Sequence, residues 1–176
     1  MRVEKIDPGD SEFEERSIAI NRVMRVSKGG RTPSFNALSA VGNFEGIVGI
    51  GFGSANDVPS AISKSIADAK KNLIRVPLLG GTIPHETFSK FKAAKVLLKP
   101  ASPGTGIVAG HATRTILEFV GIKDVLTKRL GSRNVKNIAE ATMLALKNLK
   151  DVNDVARLRG KRVEDLTGES SPSANQ

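Results

Sequence analysis

From Ser17 onward apolar and polar residues take on the texture of a β-strand. Ile18, Ile20, Val23, Met24 and Val26 lead into Ser27-Lys28-Gly29-Gly30-Arg31-Thr32. A diglycine between two apolar runs predicts a hairpin, because glycine adopts positive φ without strain. Phe35 to Val41 is the expected return strand, and Gly42-Asn43-Phe44-Glu45-Gly46 turns the chain again. In the third strand Val48, Ile50 and Phe52 alternate with Gly49, Gly51 and Gly53. Side chains alternate across a strand, so one face packs on a core and the other is bare backbone. A bare face marks close approach by another backbone, either a helix or RNA. Asn56-Asp57 can cap a following helix with Pro59 in its first turn. Val58, Ile62, Ile66, Ala69 and Leu73 then recur at helical spacing, with Lys64, Lys70 and Lys71 off that stripe.

Val76-Pro77-Leu78-Leu79-Gly80-Gly81 breaks the pattern and marks a boundary. Beyond it, Ala94 to Leu98 reads as a strand, followed by a glycine- and proline-rich stretch from Pro100 to Gly110. Ala112 to Val120 reads as a helix ended by Gly121, and Val125 to Leu130 as a strand. Asn134 caps a long helix carrying Ile138, Ala141, Ala145 and Leu149. The expected class is α+β in two domains without internal repeat. Residues 1–12 form a flexible amino-terminal arm, 13–77 a sheet-plus-helix domain and 78–150 a second domain. Residues 151–176 form a charged extension whose small, polar end is expected to be disordered.

Charge narrows the partner. Over 176 residues, 27 Lys and Arg against 18 Asp and Glu give a net charge of +9 and a pI near 10.0, which suits a polyanion. The chain has seven Phe but no Trp or Tyr, so it lacks the aromatic platforms that stack single-stranded bases. Phosphates and helical shape are the better match, which points to structured RNA. No cysteine is present, which removes disulfides and thiolate chemistry and fits a reducing compartment. No window reaches the ~18 apolar residues of a membrane span, so no membrane role is expected. Met1 to Glu15 carries no secretory apolar stretch. A cytosolic location follows, or an organelle with its own ribosomes.

The sequence carries no recognisable catalytic or metal-binding constellation. His85 and His111 stand alone, with no acidic or histidine partner at metal spacing. No serine sits in a G-x-S-x-G elbow. The β-strand glycines run G-x-G-x-G inside the strand, unlike a dinucleotide loop that opens a helix. Pro103-Gly104-Thr105-Gly106 lacks the Gly-Lys-Ser/Thr of a phosphate loop, and no acid lies between Lys99 and Arg114 to hold magnesium. No catalytic residue, metal or cofactor is therefore expected.

Taken in order, several segments resemble bacterial and organellar small-subunit ribosomal protein five. They are Lys28-Gly29-Gly30-Arg31, Phe35, Val48 to Gly53, Val58-Pro59-Ser60-Ala61-Ile62, Ala69-Lys70-Lys71-Asn72, Pro100 to Gly106, and Gly131-Ser132 with Asn134 and Asn137. The resemblance runs from about Glu12 to Leu166. It implies a first domain similar to the double-stranded-RNA-binding fold. It also implies a βαβ second domain of the fold shared with galactokinase and homoserine kinase, and no catalysis. It further implies binding to small-subunit ribosomal RNA where head meets body, contacts with small-subunit ribosomal proteins four and eight, messenger RNA near its entry channel, and a contribution to translational accuracy. The Lys28–Arg31 hairpin corresponds to the family's loop beside the spectinomycin site.

The residues expected on RNA are Arg22, Arg25, Lys28, Gly29, Gly30, Arg31, Lys64, Lys70 and Lys71, with Arg22 and Arg25 extending the basic stripe of the hairpin. Gly104, Gly106 and Arg114 are implied at a protein interface, the last two facing protein four. Ser54, His111, Val135 and Glu140 depart from the family pattern. Two rivals remain: a free-standing double-stranded-RNA-binding regulator, and a small-molecule kinase.

Overall fold

The computed structural model describes residues 12–163. The expected arm, up to residue 11, and the expected disordered end, from residue 164, lie outside the described residues. The first half is an antiparallel sheet of β1 (Glu14–Ser27), β2 (Gly30–Gly42), β3 (Ile47–Ala55) and the short β4 (Ile74–Arg75), in that order, with helix α1 (Val58–Lys71) against it. β1 starts before the alternation at Ser17 because Glu14 already pairs with Gly42, with a register irregularity between Ser17 and Ala19. Ser27 faces Gly30 across a turn made by Lys28 and Gly29. Only Gly30 of the diglycine has positive φ, at 127°.

The bare face of β3 is occupied by the chain's own helix. A Cβ on Gly49, Gly51 or Gly53 would overlap the backbone carbonyls of Ala69, Ser65 and Ala61 respectively. This approach dictates which side of α1 is buried. The residues turned to the sheet are the small Ala61, Ser65 and Ala69, while Val58, Ile62 and Ile66 flank them half-buried. The stripe expected from spacing is buried at Ala69 and Leu73, but Ala61 and Ser65 take the place of Val58, Ile62 and Ile66, because bulky side chains cannot fit where two backbones meet. Buried Ser65 and Ser39 share a hydroxyl hydrogen bond of 2.6 Å across the contact. Asp57 takes the N-cap position but its carboxylate accepts no capping bond. Asp68 accepts instead from the Phe52 N–H at 2.9 Å, tying the helix to β3.

The second half is a sheet of β5 (Thr87–Phe91), β6 (Ala94–Pro100), β8 (Val125–Gly131) and β7 (Ile107–Val108), in that spatial order. β7 and β8 run parallel around α2 (His111–Val120), forming a βαβ unit. Helices α3 (Val135–Lys147) and α4 (Val152–Arg159) complete it. Asn134 caps α3 through its side-chain oxygen, which accepts from the Asn137 N–H at 3.3 Å. Gly121 ends α2 in a left-handed conformation. Part of the charged extension is ordered as α4, which buries Ala156 and closes at Gly160, φ 62°.

The two halves share one core. Ile18, Leu38, Ala40, Val48 and Ile50 of the first sheet cluster with Ile116, Leu117, Phe119 and Val120 of α2 and with Val96, Leu98 and Val125 of the second sheet. The first sheet is therefore covered twice, by α1 on its glycine face and by α2 on its apolar face. The β2–β3 turn docks on the end of α2: the Phe44 N–H donates to the Phe119 carbonyl at 3.0 Å and the Gly46 N–H to that of Val120 at 2.8 Å. The rings of Phe44 and Phe119 lie 5.4 Å apart. The boundary segment is tied in as well, since Val76 is buried and donates to the Gly46 carbonyl at 2.7 Å.

Candidate nucleic-acid interface

Strand pairing decides where the hairpin residues point. β2 keeps β3 as a neighbour only as far as Phe35, which faces Ala55. From Val23 to Ser34 only β1 and β2 remain, so five residue pairs project beyond the sheet as a two-stranded ribbon. At ~3.4 Å per residue the ribbon reaches about 17 Å. Arg22 faces Phe35, Arg25 faces Thr32 and Val26 faces Arg31. Alternation then places Arg22 and Arg31 on one face, with Met24 and Val26, and Arg25 on the other. Arg22 and Arg25 therefore do not extend one stripe; the ribbon carries cations on both faces and Lys28 at its tip. A Cβ on Gly29 or Gly30 would meet nothing, so these glycines serve the turn and leave the tip open. On the Arg22 and Arg31 face, Met24 is 51% and Val26 71% exposed.

The lysines of α1 separate into two places. Gly53 lies under Ala61 and Gly49 under Ala69, so α1 runs away from the ribbon. Lys64 sits beside Gly53, toward the ribbon end, whereas Lys70 and Lys71 lie at the far end. Lys70 is committed to an ion pair with Glu15 at 2.7 Å, while Lys71 is exposed. The nine expected residues do not form a single patch. The ribbon is one concentration of charge, and the end of α1 is a second, smaller one.

The loop before α2 is built from within. Gly104 and Gly106 have φ of 90° and 74°, and a Cβ on either would touch nothing. The backbone shape requires glycine there, not close approach by a neighbour within this chain. The Gly106 N–H donates to Asp124 Oδ1 at 2.8 Å, and the exposed Arg114 donates through Nη2 to the Ile107 carbonyl at 2.7 Å. Arg114 thus braces the end of the loop that carries both glycines.

Several basic residues near the junction of the halves were not anticipated. Arg129 and Arg133 line a cleft of about 320 Å³ with His111, Thr127 and Ile18. Lys136 Nζ lies 3.7 Å from the centroid of the Phe52 ring, linking α3 to β3. The alternation in Thr127-Lys128-Arg129 was the available signal for Arg129. Of the departures from the family pattern, His111 and Ser54 are exposed, Val135 packs against the core and Glu140 is half-buried. His85 is engaged on both ring nitrogens, with Nε2 accepting from the Lys150 N–H at 3.0 Å and Nδ1 meeting the Glu86 carbonyl at 2.8 Å. Among the described residues no group of three or more metal-ligating side chains occurs, and no helix is long and apolar enough to cross a membrane.

Comparison with known proteins agrees from several directions. A family model described as ribosomal protein S5, N-terminal domain, matches residues 13–77, and one described as ribosomal protein S5, C-terminal domain, matches residues 89–159. The small ribosomal subunit protein uS5 of Bacteroides fragilis is 54% identical over 157 residues, covering 89% of this chain and 91% of that protein. The protein of the same name from Thermotoga neapolitana is 53% identical over 155 residues, covering 88% and 87%.

Proposed function

The chain belongs to the ribosomal protein S5 family, a family of ribosomal proteins and not of enzymes, and from that membership we propose that it is a structural constituent of the small ribosomal subunit, working in the cytoplasm. In this reading it binds small-subunit ribosomal RNA at the junction of head and body. It packs beside small-subunit ribosomal proteins four and eight, lies near messenger RNA at the entry channel and contributes to translational accuracy. The observation that supports the RNA contact is the projecting ribbon Val23–Ser34, with Arg25 and Arg31 on opposite faces, Lys28 at the tip and Arg22 at the base.

The chemistry follows from that distribution. A ribbon charged on both faces can enter a gap between two RNA backbones and neutralise phosphates on each side, displacing their counterions. Arg22 and Arg31 can form forked hydrogen bonds with phosphate oxygens from one face. The open turn at Lys28-Gly29 brings main-chain N–H groups to the surface, where a Cβ would crowd a ligand. Lys64 and Lys71 supply further positive charge, while Lys70 would first have to release Glu15. The loop carrying Gly104 and Gly106, braced by Arg114, is the surface for protein four.

A free-standing RNA-binding regulator fits less well, because the apolar face of the first sheet is buried against α2 and would be exposed in a separated domain. Co-sedimentation tests the reading. The tagged chain is expected in the small-subunit peak and to stay there through moderate salt washing. Recovery mainly at the top of the gradient, free of ribosomal RNA, would contradict it.

A further inference from the structure

Sulfur is scarce in this chain and unevenly protected. The chain has no cysteine and three methionines, of which Met1 lies outside the described residues. Met143 belongs to the core and is 4% exposed, whereas Met24 is 51% exposed. The openness of Met24 has a geometric cause. Ile20 pairs with Ala37 and Ala37 with Gly53, whose backbone lies against α1. Alternation therefore sets Ile20, Arg22, Met24 and Val26 on the helix side of the sheet. Helix α1 begins over Gly53 and runs away from the ribbon, so among the described residues no helix covers this face beyond the sheet. Register also fixes the neighbours of the thioether. Pro33 stands directly opposite, Arg31 is diagonal to it, and Arg22 and Val26 lie two residues away on its own strand. A diagonal neighbour is roughly 7–8 Å away and a next-but-one neighbour about 7 Å, both within reach of an arginine side chain. Neither Arg22 nor Arg31 forms an ion pair among the described residues.

An exposed thioether is open to oxidation by hydrogen peroxide. The sulfur lone pair attacks one peroxide oxygen and the O–O bond breaks. That oxygen stays on sulfur as the sulfoxide, and the other leaves as water. Sulfur gives up two electrons and the peroxide takes them. A flexible apolar side chain becomes a polar one with an acceptor oxygen, and methionine sulfoxide reductases reverse the change. The donors within reach of that oxygen are Arg22 and Arg31, and a guanidinium bonded to it is turned away from a phosphate. We propose that Met24 is a reversible oxidation site, through which peroxide lowers the affinity of the free chain's ribbon for RNA. Seated on RNA, the same face is covered and the thioether is shielded. The effect on RNA rests on the proposed function; the reactivity of Met24 rests on its exposure alone.

The test treats the full chain with dilute hydrogen peroxide and follows oxygen uptake at each methionine by peptide mass mapping. Met24 should react about tenfold faster than buried Met143, and saturating small-subunit ribosomal RNA should slow it about tenfold. The chain oxidised at Met24 should bind that RNA about fivefold more weakly, and treatment with methionine sulfoxide reductases should restore the affinity. In Met24→Leu, which has no thioether at this position, the affinity measured before and after peroxide should be the same. Oxidation of Met24 no faster than Met143, no protection by RNA, or an equal loss of affinity in Met24→Leu would each overturn the proposal. A chain that fails to bind the RNA before oxidation would defeat the proposed function and this effect together. Normal binding that oxidation of Met24 leaves unchanged would defeat this proposal alone.

Discussion

Glycine serves opposite purposes in two regions of this molecule. In β3, Gly49, Gly51 and Gly53 are crowded: each backbone lies against a carbonyl of α1, leaving no room for a Cβ. At the ribbon tip and in the loop before α2, Gly29, Gly30, Gly104 and Gly106 are open, and a Cβ on any of them would touch nothing. The first set makes the fold possible by letting a helix of small residues lie on a sheet. The second shapes exposed backbone. The same residue type therefore reports internal packing in one place and a surface in the other, and glycine density alone cannot tell them apart.

The sharpest way to break this contrast is at Gly121, which is crowded and has φ of 89°. A Cβ there would overlap the Phe44 carbonyl and also strain the backbone. Gly121→Ala should cost about 3–4 kcal/mol, combining a left-handed conformation with overpacking at the junction of the halves. Urea unfolding would measure it, and a loss below about 1 kcal/mol would discount the docking of the β2–β3 turn on α2.

Gly51→Ala should come next, at about 2–3 kcal/mol, because the obstacle is helix backbone and not a movable side chain. Wild-type stability in that variant would remove the account of the bare face. Gly104→Ala should cost about 1 kcal/mol, since its φ is unfavourable but its surroundings are open. Lys28→Ala and Arg31→Ala should fall within about 0.5 kcal/mol of wild type, as exposed positions do. The order of these four effects is itself the test: an open glycine outranking a crowded one would invert the comparison.

Much of the fold is legible in the sequence where its signal is local. The hairpin at Ser27–Gly30, the apolar and bare faces of β3, the cap at Asn134 and the stop at Gly121 each depend on a few adjacent residues. The elements that escaped had weak local signals. β4 and β7 are two residues long, β5 turns the polar Thr87 and Ser89 inward, and α4 buries only Ala156 among its own residues. The buried stripe of α1 is legible at Ala69 and Leu73 but not along the rest of the helix, because hydrophobicity favours Ile62 and Ile66 whereas backbone contact selects Ala61 and Ser65. For the candidate site, charge was readable but arrangement was not. The placement of Arg22 and Arg25 on opposite faces follows from strand alternation, not from the local run of charge. The Lys70–Glu15 pair joins segments far apart in sequence, and no local pattern announces it.

The central claim is that the ribbon grips RNA by charge, and the salt dependence of binding tests it most directly. Affinity of the full chain for small-subunit ribosomal RNA, measured over a salt series, should give a log–log slope of about −4 or steeper if five or more phosphates are neutralised at roughly −0.9 each. The double variant Lys28→Ala/Arg31→Ala, folded as the wild type, should flatten that slope by about two units. A wild-type slope near zero, or a double variant that keeps the full wild-type slope, would contradict the account.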